Sequence, residues 1–149
     1  MGVTGEFEKA QGLLASGDIS GLLRYLRADG EALSLGEVAR LVAGAARLSG
    51  FDDLAQAAAA AEGGDGAGAG AEDARALYDF GYACMERGVG FLAVRPLARA
   101  LELAPDAVAV LSELVAALEQ DGPHARAVAV LEEHESVMQV QRLPRFQYV

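Results

Sequence analysis

The sequence predicts an all-α fold built from stacked antiparallel helix hairpins, and three observations lead to it. The chain of 149 residues is 52% hydrophobic but only 6% aromatic, and isoleucine and threonine occur once each. The apolar residues are therefore almost wholly Ala, Leu and Val, a composition that favours helix over sheet. Gly17, Gly50, Gly88 and Gly122 follow one another at intervals of 33, 38 and 34 residues. Between these glycines the apolar residues recur with helical spacing, as in a helical repeat.

The interval between the glycines divides the single domain 1–149 into hairpins, each turning at one glycine. The expected units are a loose first hairpin over 5–30 and repeats at about 34–62, 74–105 and 108–135. Asp52 and Asp53 are expected to open the second helix of the 34–62 repeat, where acidic groups favour a helix start.

Two segments fall outside this regular pattern. In residues 63–71 (GGDGAGAGA) five of nine positions are glycine, so no helix is expected to persist there and we interpret the stretch as an inserted loop. The segment 136–149 contains Pro144 two residues before Phe146, which indicates the opening of one more helix.

The 74–105 unit resembles the tetratricopeptide repeat family, whose pattern of large and small residues repeats every 34 positions. The residues at the positions of the family pattern are Leu77, Phe80, Gly81, Cys84, Ala93, Leu97 and Pro105. Weaker matches begin at Ala39 and at Leu111, although Gln139 stands where the second of these needs its proline. In this interpretation Gly81 and Ala93 face one another where the two helices cross.

The resemblance covers roughly residues 34–135 and implies a right-handed solenoid of about four hairpins. It also implies a function: a non-catalytic scaffold or adaptor that binds a peptide or partner protein in its concave groove.

In such a stack the first helix of each hairpin lines the groove. The candidate partner-binding residues on these helices are Arg40, Arg47, Arg75, Tyr78, Tyr82 and Met85, and Gly44 is expected on the same face. Tyr and Arg dominate binding energy at protein interfaces, and the arginines would place positive charge in a chain whose net charge is −10. An alternative stays open, in which the tyrosines pack between helices and the arginines pair with Glu37 and Glu86.

Charge and hydropathy exclude two classes of partner. With 12 basic against 22 acidic residues, the chain is not expected to coat nucleic-acid phosphates or an anionic membrane surface. No apolar run is long enough to span a bilayer, and Glu6, Glu8 and Lys9 stand where a signal peptide would be apolar. We expect a cytoplasmic protein. The preference for Arg over Lys, with abundant Ala and Gly, is typical of a GC-rich bacterial genome.

No motif predicts catalysis, a cofactor or a metal. Gly66, Gly68 and Ala71 match a lax dinucleotide fingerprint, but they follow an alanine-rich helix instead of a strand, and no P-loop motif occurs. His124 and His134 lie ten residues apart with no ligand partner at helical spacing, and Cys84 is expected in the core of a hairpin. We therefore predict that the chain is not an enzyme.

Two other functions remain as alternatives at this point. The chain could be the regulatory or targeting part of a longer enzyme or signalling protein. It could also form a homodimer through its apolar C-terminal end, which carries Leu143, Phe146, Tyr148 and Val149.

Overall fold

The computed structural model describes residues 2–66 and 68–121, and every regular element within them is helical. The α-helices are α1 (Gly2–Ala15), α2 (Ile19–Asp29), α3 (Leu35–Ser49), α4 (Asp52–Ala61), α5 (Ala71–Glu86), α6 (Val94–Leu103) and α7 (Val108–Asp121). Short 3-10 helices cover Gly30–Ala32, Glu62–Asp65 and Gly90–Leu92. The described part contains no strand, so the prediction of an all-α fold is confirmed.

Three of the predicted glycine turns share one backbone geometry. Gly17, Gly50 and Gly88 have φ values of 79°, 80° and 76°, a left-handed conformation that glycine adopts without steric cost. The N–H of the residue after each glycine donates to the carbonyl five positions earlier, at 2.8 to 3.0 Å. This is the Schellman arrangement that ends helices. The turn predicted at Gly122 lies outside the described residues.

The starts of the second helices differ from one hairpin to the next. α4 begins at Asp52, and Asp52 and Asp53 occupy its first turn as predicted. α6 begins only at Val94, because the 3-10 helix Gly90–Leu92 intervenes and Pro96 lies in the first turn of α6. A proline ring clashes with the carbonyl four residues earlier, so the α-helix cannot extend backwards past its first turn.

Helix α3 is the central helix of the described fold. Eight of its residues are buried: Leu35, Val38, Ala39, Leu41, Val42, Ala43, Ala45 and Ala46. α4 packs along one side, and Gly36 lies against the backbone of Glu62, whose carbonyl would be 3.0 Å from a Cβ at that glycine. Gly44 lies against Leu14 of α1, where a Cβ would approach Leu14 Cδ2 to 2.6 Å. A helix that is apolar around most of its circumference is explained by neighbours on several sides.

Helices α5 and α6 approach closely at Gly81, where the nearest side chain is that of Leu97. A Cβ at Gly81 would lie 2.5 Å from Leu97 Cγ, and Leu97 is fully buried. The three atoms nearest to that Cβ thus all belong to Leu97. Ala93 is itself buried one helical turn before Leu97.

The first hairpin does not contact only its neighbour in sequence. Arg95 at the start of α6 donates from Nη1 to the carbonyl of Gly30 at the end of α2, at 3.1 Å. The guanidinium of Arg27 on α2 lies 4.3 Å from the ring centroid of Phe91. In a regular solenoid each repeat contacts only the adjacent repeats. Here the first hairpin also contacts the third. The described part is therefore a packed set of helix hairpins in which contacts are not limited to adjacent hairpins, as they are in a regular solenoid.

The glycine-rich segment is attached to the rest of the fold by Arg99. The Nε and Nη2 groups of Arg99 donate to the carbonyls of Gly64 and Gly66, at 3.1 and 2.9 Å. Of the segment predicted as an irregular loop over 63–71, the first three residues belong to the 3-10 helix Glu62–Asp65, and Ala71 is the first residue of α5.

Other sequence predictions lie partly beyond the described residues. Of the repeat predicted at 108–135 only the first helix, α7, is described, and the segment 136–149 is not described. Among the described helices, none combines the length and the apolar character needed to cross a bilayer.

Candidate functional site

One exposed face of α5 carries three of the predicted partner-binding residues. Arg75, Tyr78 and Tyr82 are spaced by three and four positions, so their side chains share one side of the helix. The ring centroids of Tyr78 and Tyr82 are 6.1 Å apart with a tilt of 31° between planes. Tyr78 packs half-buried against the core, whereas Tyr82 is 42% exposed. We call this set of three residues the α5 face.

The environment of Tyr78 disfavours ionisation of its hydroxyl. Burial raises the pKa of Tyr78 above its usual value, and the negative charge of Glu113 on α7 raises it further. A tyrosine hydroxyl is neutral at physiological pH, and this shift moves its ionisation further from that range, so the phenol can donate a hydrogen bond.

The arginines are paired with acidic groups that sequence reasoning did not identify. Arg75 Nε lies 3.3 Å from Asp79 Oδ1 one turn along α5, and Arg40 Nε lies 2.9 Å from Glu62 Oε1. The alternative pairing with Glu37 and Glu86 is thus wrong in its partners. Glu37 instead accepts from the backbone N–H of Ser34 at 2.9 Å and completes a capping box at the start of α3. Both arginine pairs are exposed, so they hold the guanidinium groups weakly.

The two predicted binding residues of α3, Arg40 and Arg47, lie on a side of the helix that α1 partly covers. Arg40 lies 5.6 Å from the ring centroid of Phe7, and Gly44 between Arg40 and Arg47 lies against α1. The side of α3 expected to line an open groove is therefore partly covered by α1. Within residues 2–66 and 68–121, no hydrogen bond, ion pair or ring contact joins Arg40 or Arg47 to the α5 face.

Met85 follows Tyr82 on α5 but is engaged in packing. Its sulfur lies near Gly90, where a Cβ would be 3.1 Å from Met85 Sδ and 2.6 Å from the side-chain oxygen of Gln120. Met85 is half-buried and fills the space between α5, α7 and the 3-10 helix that begins at Gly90.

The other residues considered for catalysis or metal binding are Cys84 and the two histidines, and only Cys84 lies among the described residues. Cys84 is fully buried, and burial raises the pKa of its thiol to about 12, which disfavours the nucleophilic thiolate. In the described part of the chain, no group of three or more His, Cys, Asp or Glu side chains is placed to hold a metal ion. His124 and His134 lie outside that part.

Sequence reasoning missed a second site, where α2 meets the start of α6. Arg27, Phe91 and Arg95 meet there through the contacts of α2 with the third hairpin. The sequence does contain a hint for Arg95. A basic residue in the first turn of a helix is unfavourable with respect to the helix dipole, so its presence there suggests a contact with another part of the chain. Its charge is offset by the carbonyl of Gly30, at the end of α2 where cations are favoured. Arg27 and Phe91 give no such signal, since they lie far apart in the sequence.

The chain matches no protein-family model, and neither curated proteins nor solved structures contain a significant match to it.

Proposed function

We propose that the chain is a non-catalytic interaction module that binds a peptide or a partner protein on the α5 face. The observation that carries this proposal is the pair of adjacent tyrosines, of which Tyr82 is one of the few large hydrophobic residues exposed in the described part. Tyrosine offers apolar area together with a hydrogen-bonding hydroxyl, and it loses little side-chain entropy on binding.

Arg75 on the α5 face favours a ligand that carries a carboxylate beside an apolar residue. Arg75 extends from the same face, and its ion pair with Asp79 is exposed and therefore weak enough to be exchanged. A guanidinium binds a carboxylate through two parallel hydrogen bonds. Since the chain has a net charge of −10, most of its surface repels an acidic ligand, and Arg75 is the group of the α5 face that would bind the ligand's carboxylate in place of Asp79.

The resemblance to tetratricopeptide repeats supports the same class of function, but the structure directs the proposal to a smaller surface. Arg40 and Arg47 were predicted to act together with the tyrosines in one continuous groove. Because α1 lies over Gly44 between these arginines, we place the binding surface on α5 and leave α3 out of it.

The test is site-specific photocrosslinking in extract of the native cell. A benzophenone amino acid replaces Tyr82 in one variant and Leu48 in a matched control, since Leu48 is 63% exposed on α3. We expect a discrete crosslinked species from position 82 that is absent from position 48. Adding Arg75→Ala and Tyr78→Ala to the Tyr82 probe should remove this species without loss of helical circular dichroism. An undiminished species in that triple variant, or the same species from both probe positions, would contradict the proposal.

A further inference from the structure

The two tyrosines of the α5 face have acidic neighbours that are not engaged elsewhere in the described part. Glu86 follows Tyr82 by one helical turn and is exposed on the same side of α5. Glu113 is half-buried on α7, which packs against α5. Burial raises the pKa of Tyr78, and the charge of Glu113 raises it further, so this carboxylate lies near the ring. Across residues 2–66 and 68–121, neither Glu86 nor Glu113 takes part in a hydrogen bond or an ion pair.

The basic residues of α5 and of the turn after it do not neutralise these two carboxylates. Arg87 follows Glu86 directly, but its guanidinium is hydrogen-bonded to Asp53. Glu86 is also the last residue of α5, and the carbonyl end of a helix favours a cation over a carboxylate. The α5 face is therefore acidic at the end that carries Tyr82, whereas Arg75 lies at its other end.

The tyrosine rings add a second attraction for a cation. An aromatic ring carries partial negative charge on its face, so a guanidinium or an ammonium placed over it is stabilised. The rings of Tyr78 and Tyr82 have centroids 6.1 Å apart and planes tilted by 31°, and Tyr82 is 42% exposed. A planar guanidinium stacks on such rings and is less strongly hydrated than an ammonium, so arginine suits this surface better than lysine.

We propose that the α5 face binds an arginine side chain of its partner, with the guanidinium against the rings of Tyr78 and Tyr82. Glu86 and Glu113 flank these rings and supply the opposite charge. The inference rests on the function proposed for the α5 face and adds a basic residue to the ligand. Together with the carboxylate assigned to Arg75, it describes a segment with one acidic and one basic side chain.

The length of the face sets the spacing of these two side chains. Arg75 and Glu86 are eleven residues apart on one helix, and eleven residues of α-helix rise roughly 16 Å. An extended chain covers this distance in about five residues.

The probe is a five-residue peptide with blocked ends that begins with glutamate, continues with leucine and two alanines, and ends with arginine. In a second peptide citrulline replaces the arginine, which keeps the shape and removes the charge. In a third peptide glutamine replaces the glutamate. Binding is followed by NMR of the tyrosine ring protons. We expect saturable shifts at Tyr78 and Tyr82 with the first peptide, and at least about threefold weaker binding of the citrulline peptide.

Variants then assign the binding to the acidic neighbours of the rings. Glu86→Gln and Glu113→Gln should each weaken binding of the arginine peptide about twofold and leave binding of the citrulline peptide unchanged. Glu31→Gln removes the same charge from an exposed position in the 3-10 helix Gly30–Ala32, so it is the matched control and should bind both peptides as the native protein does. The comparison of the two peptides on the native protein needs no variant.

Three outcomes would overturn the inference. One is the absence of saturable shifts at both rings with about 10 mM arginine peptide, where a millimolar site would be mostly filled. Another is equal affinity for the arginine and citrulline peptides, which would remove the role of the guanidinium charge. Equal losses in Glu86→Gln, Glu113→Gln and Glu31→Gln would mean that only the net charge of the protein matters.

The third peptide and the crosslinking experiment separate this inference from the proposed function. If the glutamine peptide binds as tightly as the first peptide and the citrulline peptide binds more weakly, the carboxylate assigned to Arg75 is refuted and the arginine site stands. If no partner is crosslinked at position 82 but the arginine peptide binds as expected, the proposed function alone is refuted. A partner crosslinked at position 82 together with equal binding of the arginine and citrulline peptides would refute the arginine site alone.

Discussion

The turns that follow α3 and α5 begin alike and end differently. Both end a helix on a left-handed glycine, Gly50 in one and Gly88 in the other, with the same backbone hydrogen bonds. After Gly50 the next helix starts at once with Asp52. After Gly88 the chain forms a 3-10 helix, and α6 starts only at Val94.

The extra 3-10 turn has structural consequences for the rest of the fold. It places Phe91 beneath Arg27 of α2, and the helix that follows it places Arg95 against the end of α2. The first hairpin therefore attaches at the turn where the third hairpin departs from the repeat. A recurring glycine determines how a helix ends, whereas the residues after it determine which distant helix can pack there.

The largest effect is expected where α5 and α6 pack most closely. Gly81→Leu should destabilise the fold by about 1–3 kcal/mol, because its side chain would overlap the fully buried Leu97. Gly44→Leu should cost less, since the side chain it meets, Leu14 of α1, is only half-buried. Urea unfolding measures both variants.

Gly12→Leu is the matched control for these two variants, because apart from its chain neighbours and the backbone of its own helix no atom lies within 4 Å of a Cβ at Gly12. It reports the gain in helix propensity that any Gly-to-Leu change brings. If Gly81→Leu were as stable as this control, the close packing of α5 against α6 would be refuted.

These close contacts also show how far the sequence can predict the fold. The turns at Gly17, Gly50 and Gly88 were predictable, because a helix that ends in a left-handed residue favours glycine there, and these glycines recur at nearly regular intervals in the sequence. The small size of Gly81 was recognisable, but which side chain lies nearest to it was not, since the rotation of α6 depends on where Pro96 allows that helix to start. The adjacency of Tyr78 and Tyr82 follows from helical spacing alone.

The contacts that divide the predicted groove were beyond sequence reasoning. Arg40 pairs with Glu62, 22 residues away, and Gly44 contacts Leu14, so both depend on how separate helices pack. The Arg27–Phe91 contact is of the same kind, because nothing in the sequence around either residue indicates that it contacts the other. Local rules identify helix ends and helix faces, but they do not specify which faces meet.

The second prediction tests whether the two turns are energetically equal. Gly50→Ala and Gly88→Ala should each destabilise the fold by about 1–2 kcal/mol, because a Cβ disfavours the left-handed backbone conformation. Differential scanning calorimetry gives the comparison. Gly63→Ala is the control, since Gly63 has neither a left-handed backbone nor a close neighbour. A cost at Gly50 with none at Gly88 would show that the turns are not equivalent.

The third prediction compares the cation–π contact beside each turn. Arg87 lies 4.4 Å from the ring centroid of Phe51, and Arg27 lies 4.3 Å from that of Phe91. Double-mutant cycles to alanine should give each pair a coupling energy of about 0.5–1 kcal/mol. Coupling in the Arg87 pair but none in the Arg27 pair would contradict the docking of α2 on the third hairpin.

The smallest effect is expected at Asp53, where the turn after α3 meets the end of α5. A hydrogen bond from Arg87 holds the pKa of Asp53 below its usual value of 3.8, against the opposing effect of partial desolvation. A depressed pKa means that the folded state favours the carboxylate. The stabilisation by this pair is therefore present above the pKa of Asp53 in the unfolded chain and is lost as pH falls through the lower folded value. Because Asp53 is exposed, the change in stability is small, and the pKa itself is the better observable.

The measurement is an acid titration of the Asp53 carboxyl carbon by NMR. Arg87→Gln should raise the pKa of Asp53 toward 3.8, because the donor that stabilises the carboxylate is gone. Arg24→Gln removes the same charge from α2, where it makes no hydrogen bond to Asp53, and should leave this pKa nearly unchanged. If both variants moved it equally, the shift would reflect the net charge of the protein, and the contact that joins the end of α5 to the turn after α3 would have no energetic role.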